Sequence, residues 1–122
     1  MALKSVIATI KDGHELHIIE EKAWGNLQDF YFTTKTDELH HIIIDSQRVR
    51  YERQSEVSFR FIFEENTLHK GQVDIAQGTL NLEIYTKALS ISNESISIAY
   101  QIQDNGEILS QHSITIQCIS GD

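Results

Sequence analysis

Apolar side chains recur at every second position in four segments of the C-terminal half of this sequence. Because successive side chains of a β-strand point to opposite faces, this period predicts strands with one buried face. The residues expected to be largely buried are Val57, Phe59, Phe61, Leu80, Leu82, Ile84, Ile96, Ile98, Ile114 and Ile116. The residues expected to be much more exposed are Ser97, Gln101, Thr115 and Gln117.

The same pattern, combined with turn residues, divides the whole chain into ten segments. The predicted strands are approximately 2–11, 14–24, 28–35, 39–45, 48–53, 56–64, 67–76, 79–87, 95–103 and 107–118. Short connections favour pairing of each strand with the next, and closure of the sheet would remove its exposed edges. We therefore predict an all-β fold, a small closed antiparallel up-and-down barrel that forms a single domain over residues 1–122. A two-sheet β-sandwich is the alternative.

Two turns fix local pairing, since the chain has no proline and must turn at Gly, Asn, Asp or Ser. Asp12-Gly13 predicts a two-residue turn between the first two strands. Asp104-Asn105-Gly106 predicts a three-residue loop with Gly106 in the left-handed conformation. That loop length predicts the following cross-strand pairs: Ile102 with Ile108, Ile98 with His112, and Ile96 with Ile114.

The sequence allows two alternatives for the side chains of the N-terminal hairpin that face inward. The two candidate sets are Ile7, Leu16 and Ile18, or Val6, Ile10 and Ile19. Apolar groups on both faces indicate an outer patch that is covered or paired with another subunit, so a homodimer through this hairpin is an expectation.

Charge and cysteine content exclude several classes of protein. The formal net charge of −8 disfavours binding to nucleic acid or to an anionic membrane surface, because both need Lys and Arg. The single cysteine, Cys118, permits no internal disulfide and is expected to be a buried, inert thiol. The N-terminal residues lack a signal-peptide pattern, so we expect a cytoplasmic protein.

The histidine pairs do not form metal sites in this fold. His14 and His17 lie three residues apart on a predicted strand and therefore point to opposite faces, and His40 and His41 are adjacent. We expect all four to be solvent-facing, and we expect no bound metal and no cofactor.

His112 is the best candidate for a functional residue. Its parity places it on the inner face with Ser110, and we expect it near Tyr100 and Ile98. An inward histidine is either a hydrogen-bonded core residue or a polar contact in a ligand cavity. No matched nucleophile and no carboxylate that would orient the histidine is evident, so the sequence predicts no enzyme.

Two arginines and the one tryptophan also carry expectations. Arg48 and Arg50 share one strand face, which is either a solvated outer wall or a patch for an anion or an acidic partner. Trp24 stands at a strand end and is expected to cap the core.

Several segments resemble a known family. Gly78-Thr-Leu-Asn-Leu-Glu-Ile-Tyr-Thr-Lys87, Ser95-Ile-Ser-Ile-Ala-Tyr100, His112-Ser-Ile-Thr-Ile116 and the opening Leu3-Lys4-Ser5-Val6-Ile7 resemble the YwiB-like family of bacterial proteins, a domain of unknown function. The resemblance implies a lipocalin-like, or calycin-type, β-barrel and no known activity. Typical lipocalins have Gly-x-Trp near the first strand and a late Arg, whereas Lys22-Ala23 precedes Trp24 here and no Arg follows Arg60.

These features together favour a non-enzymatic barrel that binds a small, partly apolar molecule, with Tyr100, Ser110 and His112 as its polar contacts. The alternative is a structural or protein-interaction module whose barrel is solidly packed and holds no ligand.

Overall fold

The computed structural model describes residues 2–121, and these residues form ten antiparallel strands. The strands are β1 (Leu3–Asp12), β2 (Glu15–Asn26), β3 (Asp29–Thr33), β4 (Leu39–Asp45), β5 (Arg48–Gln54), β6 (Ser58–Glu64), β7 (Leu68–Ile75), β8 (Gly78–Ile91), β9 (Ser95–Asp104) and β10 (Glu107–Ser120). Within this part of the chain, no helix is long and apolar enough to cross a bilayer.

Each strand pairs with the next along the chain, and β1 also pairs with β10. At this seam Ala8 lies opposite Ile116 on one side and opposite Ile19 of β2 on the other. The sheet therefore closes on itself. The predicted all-β, closed, up-and-down barrel is confirmed, and the sandwich is not formed.

The interior is packed solidly at the end where β1 begins and β10 ends, which we call the packed half. Its fully buried side chains include Val6, Phe30, Phe32, Ile42, Val49, Phe63, Ile84, Ile96 and Ile116. Gly71 of β7 is buried and leaves room for the Phe61 ring, since a Cβ at Gly71 would lie 2.6 Å from Phe61 Cδ1. Large aromatic groups thus fill this half because one facing position has no side chain.

The predicted inward face is correct, but burial is not uniform along it. Phe61, Ile84, Ile96, Ile98, Ile114 and Ile116 are buried, and Phe59 and Leu82 are partly buried. Val57 and Leu80 are 40% and 49% exposed, so their predicted burial is wrong. Both lie toward the other end of the barrel, the open half, where the interior is not filled.

Among the residues predicted to be exposed, Thr115 and Gln117 are exposed and Ser97 is partly buried. Gln101 is only 9% exposed, so its predicted exposure is wrong. It lies on the outer wall directly opposite Tyr85 and Gln111, in the middle of the long strands β8 to β10. Neighbouring outer side chains therefore cover it.

The β9–β10 hairpin has a different register from the predicted one. Asp104 pairs with Glu107, so the loop has two residues, and Asn105 and Gly106 both have positive φ. The register then shifts between Ile108 and Ser110. His112 consequently lies opposite Tyr100 instead of Ile98, and the pairs predicted for Ile102 and Ile96 are wrong as well. Beyond this irregularity the total displacement is two residues, so the side chains from Ser110 onward keep their predicted face. Ile108 lies before it, opposite Gln103, and is 51% exposed, so its predicted inward position is wrong.

The structure decides the face of the N-terminal hairpin. Val6 is fully buried and Ile10 and Ile19 pack against the core, while Leu16 and Ile18 are 60% and 65% exposed. The apolar outer patch exists, and a homodimer through it stays a prediction.

Of the predictions for Trp24 and Cys118, one is wrong and one is confirmed. Trp24 faces outward, is 56% exposed and lies opposite Tyr31, so its predicted role as a core cap is wrong. Its neighbour Ala23 takes the inward position instead. Cys118 is a buried free thiol as predicted, and burial raises the pKa of that thiol to about 11.

We expect Gly71→Ala to destabilise the barrel by about 1–3 kcal/mol, because the new methyl group would overlap the Phe61 ring and the Ile84 side chain. Urea unfolding would measure the loss. Gly121→Ala is the control, since its Cβ would come no closer than 3.3 Å to another atom, the Cβ of Lys4, and would overlap no ring. Equal stability of the two variants would contradict the close packing at Gly71.

Candidate functional site

A cavity of about 540 Å³ occupies the open half of the barrel. Its wall is low on one side, because β2 pairs with β3 only over Ala23–Asn26 while β2 itself starts at Glu15. The lining combines apolar side chains with polar ones. The lining residues used below are Ile10, Asp12, Ile19, Glu38, His40, Tyr51, Arg53, Phe59, Tyr100 and Ile114.

His40 and Tyr51 form a buried polar pair in the cavity wall. Nδ1 of His40 and the Tyr51 hydroxyl lie 2.7 Å apart, and His40 Nε2 lies 3.4 Å from Glu38 Oε1. Burial lowers the pKa of His40, against the opposing effect of Glu38. In a neutral ring the Nε2–H donates to Glu38, so Nδ1 accepts from the Tyr51 hydroxyl. Burial also raises the pKa of Tyr51, which stays a neutral donor.

Arg53 projects into the same cavity from β5. Its guanidinium carbon lies 4.7 Å from the centre of the Phe59 ring, and its Nε and Nη2 donate to the carbonyl of Val57 at 3.3 and 3.0 Å. The guanidinium is therefore held by an aromatic face and a loop carbonyl at the mouth of the barrel.

Tyr100 is 7% exposed, and its ring is held between two others. It stacks on His112 with ring centres 5.0 Å apart, and its centre lies 4.7 Å from that of Phe63. Burial raises the pKa of Tyr100, with a smaller contribution from Asp12, so its hydroxyl stays protonated.

Asp12, His112 and Ser110 form a hydrogen-bonded line across the β1–β10 seam. His112 Nδ1–H donates to Asp12 Oδ1 at 2.6 Å, and His112 Nε2 lies 2.7 Å from Ser110 Oγ. The order of atoms is that of a Ser–His–Asp triad. Asp12 and Tyr100 line the cavity, whereas Ser110 and His112 are not part of its lining. The line therefore ties two strands together and orients the His112 ring behind Tyr100.

The predicted position of His112 is thus confirmed in two respects: it stacks on Tyr100 and hydrogen-bonds to Ser110. No local pattern indicates the carboxylate, because Asp12 is 100 residues from His112 and belongs to the predicted Asp12-Gly13 turn. The expectation that no carboxylate orients His112 is wrong.

His40 was expected to face solvent, and this is also wrong, because it is 2% exposed inside the barrel. The alternation on β4 does indicate the inward position, because His40 lies two residues before the buried Ile42 and therefore points to the same face. His41 faces outward, stacks on Tyr31 and lies 2.7 Å from Asp29. The opposite orientation of the two histidines is as predicted. Over residues 2–121 no three His, Cys, Asp or Glu side chains are grouped to hold a metal ion.

Arg48 and Arg50 lie on the outer wall of β5, with Val49 and Tyr51 buried on its other face. They border a shallow depression of about 190 Å³ together with Ile43, Asp45 and Ile62. Arg48 lies opposite Asp45 and Glu64. Anion binding at this outer patch stays a prediction, and the patch is separate from the cavity.

The fold and this site can be compared with known proteins. A family model described as "Domain of unknown function (DUF1934)" matches residues 6–116. The crystal structure of the YwiB protein from Bacillus subtilis matches with a TM-score of 0.64 and 19% identity, over 99% of this chain and 92% of that one. At that identity the likeness shows a shared fold. Among curated proteins no significant match was found.

We expect His40 to make stability depend on pH. Because the folded-state pKa of His40 is lowered, the unfolded chain takes up the proton first as pH falls. Stability is therefore lost below the ordinary histidine pKa of about 6.5, by at most about 1.4 kcal/mol per pH unit.

Urea unfolding at pH 7.5 and 5.5 would measure this effect. The free energy of unfolding should fall more between these pH values in the wild type than in His40→Gln. His14→Gln, which changes an exposed histidine in the turn after β1, should behave as the wild type does. The same pH dependence in wild type and His40→Gln would contradict the burial of a neutral His40.

Proposed function

The chain belongs to the DUF1934 family, the YwiB-like domains of unknown function, and we propose that this member is a non-enzymatic binding module for a small, partly apolar ligand. The ligand enters the open half of the barrel. The cavity of about 540 Å³ is the observation that carries the proposal, since its size falls in the range of small-molecule sites.

The width of the barrel supports this proposal. Eight strands enclose an interior that side chains just fill or that holds one small ligand, and ten strands enclose more. Aromatic residues fill the packed half, whereas Ile10, Ile19 and Phe59 in the open half are only partly buried. In a barrel packed throughout, these three apolar side chains would be fully buried.

The lining also supports a ligand of mixed character. Ile10, Ile19, Phe59 and Ile114 offer apolar contact, and polar groups face them across the cavity. The polar groups hold fixed positions because they are tied to one another or to the wall, as His40 is tied to Tyr51. Fixed polar groups in an apolar cleft are what orient a small ligand.

We also propose a cytoplasmic location for the protein. Its one cysteine is a free, buried thiol whose pKa is raised, so nothing in its thiol chemistry calls for an oxidising compartment.

Hydrolysis of a small ester is the second candidate function, favoured by the Ser110–His112–Asp12 line. Ser110 would attack the carbonyl carbon, and His112 would pass the proton to the leaving alcohol before water releases the acid. We rank it second because Ser110 does not line the cavity in which a substrate would lie.

For the binding function, we expect the neutral dye N-phenyl-1-naphthylamine to bind one per chain with a rise in fluorescence. Ile10→Trp should weaken binding at least tenfold, because the indole would occupy the cavity. Fluorescence titration and calorimetry would measure the affinity.

Thr9→Trp is the matched control, since Thr9 is the preceding residue on β1 and points to the opposite face. It should bind the dye as the wild type does. Absence of dye binding to folded wild-type protein, or equal loss in both variants, would refute the proposed site.

For the ranking of the two functions, we expect a fluorophosphonate probe to leave Ser110 unlabelled, as judged by intact mass and peptide mapping. Labelling that is lost in Ser110→Ala, slowed in Asp12→Asn and retained in Ser113→Ala would place hydrolysis first. Ser113 lies on the same strand and is the control for general serine reactivity.

A further inference from the structure

We infer that the ligand carries one anionic group on its apolar body, and that Arg53 receives this group with the help of the Tyr100 hydroxyl. This inference rests on the proposed binding function and names the chemical class of the ligand. Three features of the cavity lead to it: an arginine without an acidic partner, a tyrosine hydroxyl without a hydrogen-bond partner, and two carboxylates that already accept hydrogen bonds.

Arg53 has a positive charge that no acidic side chain neutralises. Over residues 2–121 every pair of acidic and basic groups within 4.0 Å involves a histidine, and Arg53 is in none of them. Its Nε and Nη2 both donate to one carbonyl oxygen, that of Val57. A guanidinium has five N–H groups, so others remain available toward the cavity. The Phe59 ring holds the group in place, which reduces the entropy lost on binding an anion.

Tyr100 supplies a second donor. More than nine-tenths of the residue is buried, and its hydroxyl makes no hydrogen bond to another described side chain. Tyr51 differs, because its hydroxyl is used by His40. Both tyrosines line the same cavity as Arg53, and the charge of Arg53 lowers the pKa of each against the larger effect of burial. The hydroxyl oxygen is not among the buried atoms without a partner, so it is accessible from the cavity that Tyr100 lines and can donate to a ligand there.

The two carboxylates of the cavity do not call for a cationic ligand. Asp12 accepts from His112 at 2.6 Å, and Glu38 lies 3.4 Å from His40. Each therefore accepts a hydrogen bond in the wall, whereas several N–H groups of Arg53 have no acceptor among residues 2–121. An incoming anion would accept hydrogen bonds from the free N–H groups of Arg53. It would leave the Asp12–His112 and Glu38–His40 contacts intact. Carboxylate and sulfonate oxygens match the fork of N–H groups that a guanidinium presents.

Two dyes with the same ring system test this inference. N-phenyl-1-naphthylamine is neutral, and 8-anilinonaphthalene-1-sulfonate adds one sulfonate to the same body. We expect Arg53→Met to weaken binding of the sulfonate at least tenfold and to change binding of the neutral dye less than twofold. Tyr100→Phe should weaken the sulfonate about threefold or more and leave the neutral dye unchanged.

Arg50→Met is the matched control, because Arg50 lies on the same strand but on the outer wall, beside Arg48. It should change neither affinity. A larger loss of sulfonate binding in Arg50→Met than in Arg53→Met would place the anion at the outer patch and overturn the inference. Equal weakening of both dyes by Arg53→Met would overturn it too, since Arg53 would then only shape the cavity.

A measurement on the wild type covers the case in which Arg53→Met does not fold. In NMR spectra the Nε–H resonance of Arg53 should shift with the sulfonate and not with the neutral dye, while that of Arg50 stays in place. An unmoved Arg53 resonance at saturating sulfonate would overturn the inference. Binding of the neutral dye alone keeps the proposed function and rejects the anion, whereas failure of the neutral dye to bind rejects the proposed function.

Discussion

Pairing of β1 with β10 is the constraint on which the rest of this structure depends. It converts a ribbon of hairpins into a barrel, so that one face of every strand must be inside. The seam is long, from Leu3 opposite Ser120 to Asp12 opposite His112. At the end of the seam in the open half, the Asp12–His112 hydrogen bond joins β1 and β10 through side chains as well as through the backbone. The same pair positions the ring on which Tyr100 stacks, so closure and site geometry are coupled.

The interior is divided because the two halves use different side chains on the same inward face. Aromatic and β-branched groups such as Phe32, Phe63 and Ile84 leave no space in the packed half. Toward the open half the inward positions become polar, at His40, Arg53 and Asp12. Polar groups cannot fill a core unless each is paired, and a cavity open to solvent or ligand removes that requirement. The change in chemistry along the barrel therefore explains why one end is filled and the other is not.

Period-two alternation was enough to predict the strands and most of their inward faces, because a shift of two residues does not change the face of a strand. The pairing of His112 with Tyr100 was missed for that reason: the two-residue loop at Asn105-Gly106 and the irregularity before Ser110 together leave no trace in the pattern. The site was predicted only in part. Parity does give the position of His40, but the partner of His112 is Asp12, a contact between the two ends of the chain. Such contacts depend on closure, which no local pattern encodes.

Intermolecular nuclear Overhauser effects from bound N-phenyl-1-naphthylamine to isoleucine methyl groups test the central claim, a barrel packed at one end and open to a ligand at the other. We expect contacts to Ile10, Ile19 and Ile114, which line the cavity, and none to Ile42 or Ile96 in the packed half. Contacts confined to Ile7, which faces outward on β1 between the buried Val6 and Ala8 and does not line the cavity, would contradict it. They would show that the dye adheres to the outer patch of the N-terminal hairpin and that the barrel interior admits no ligand.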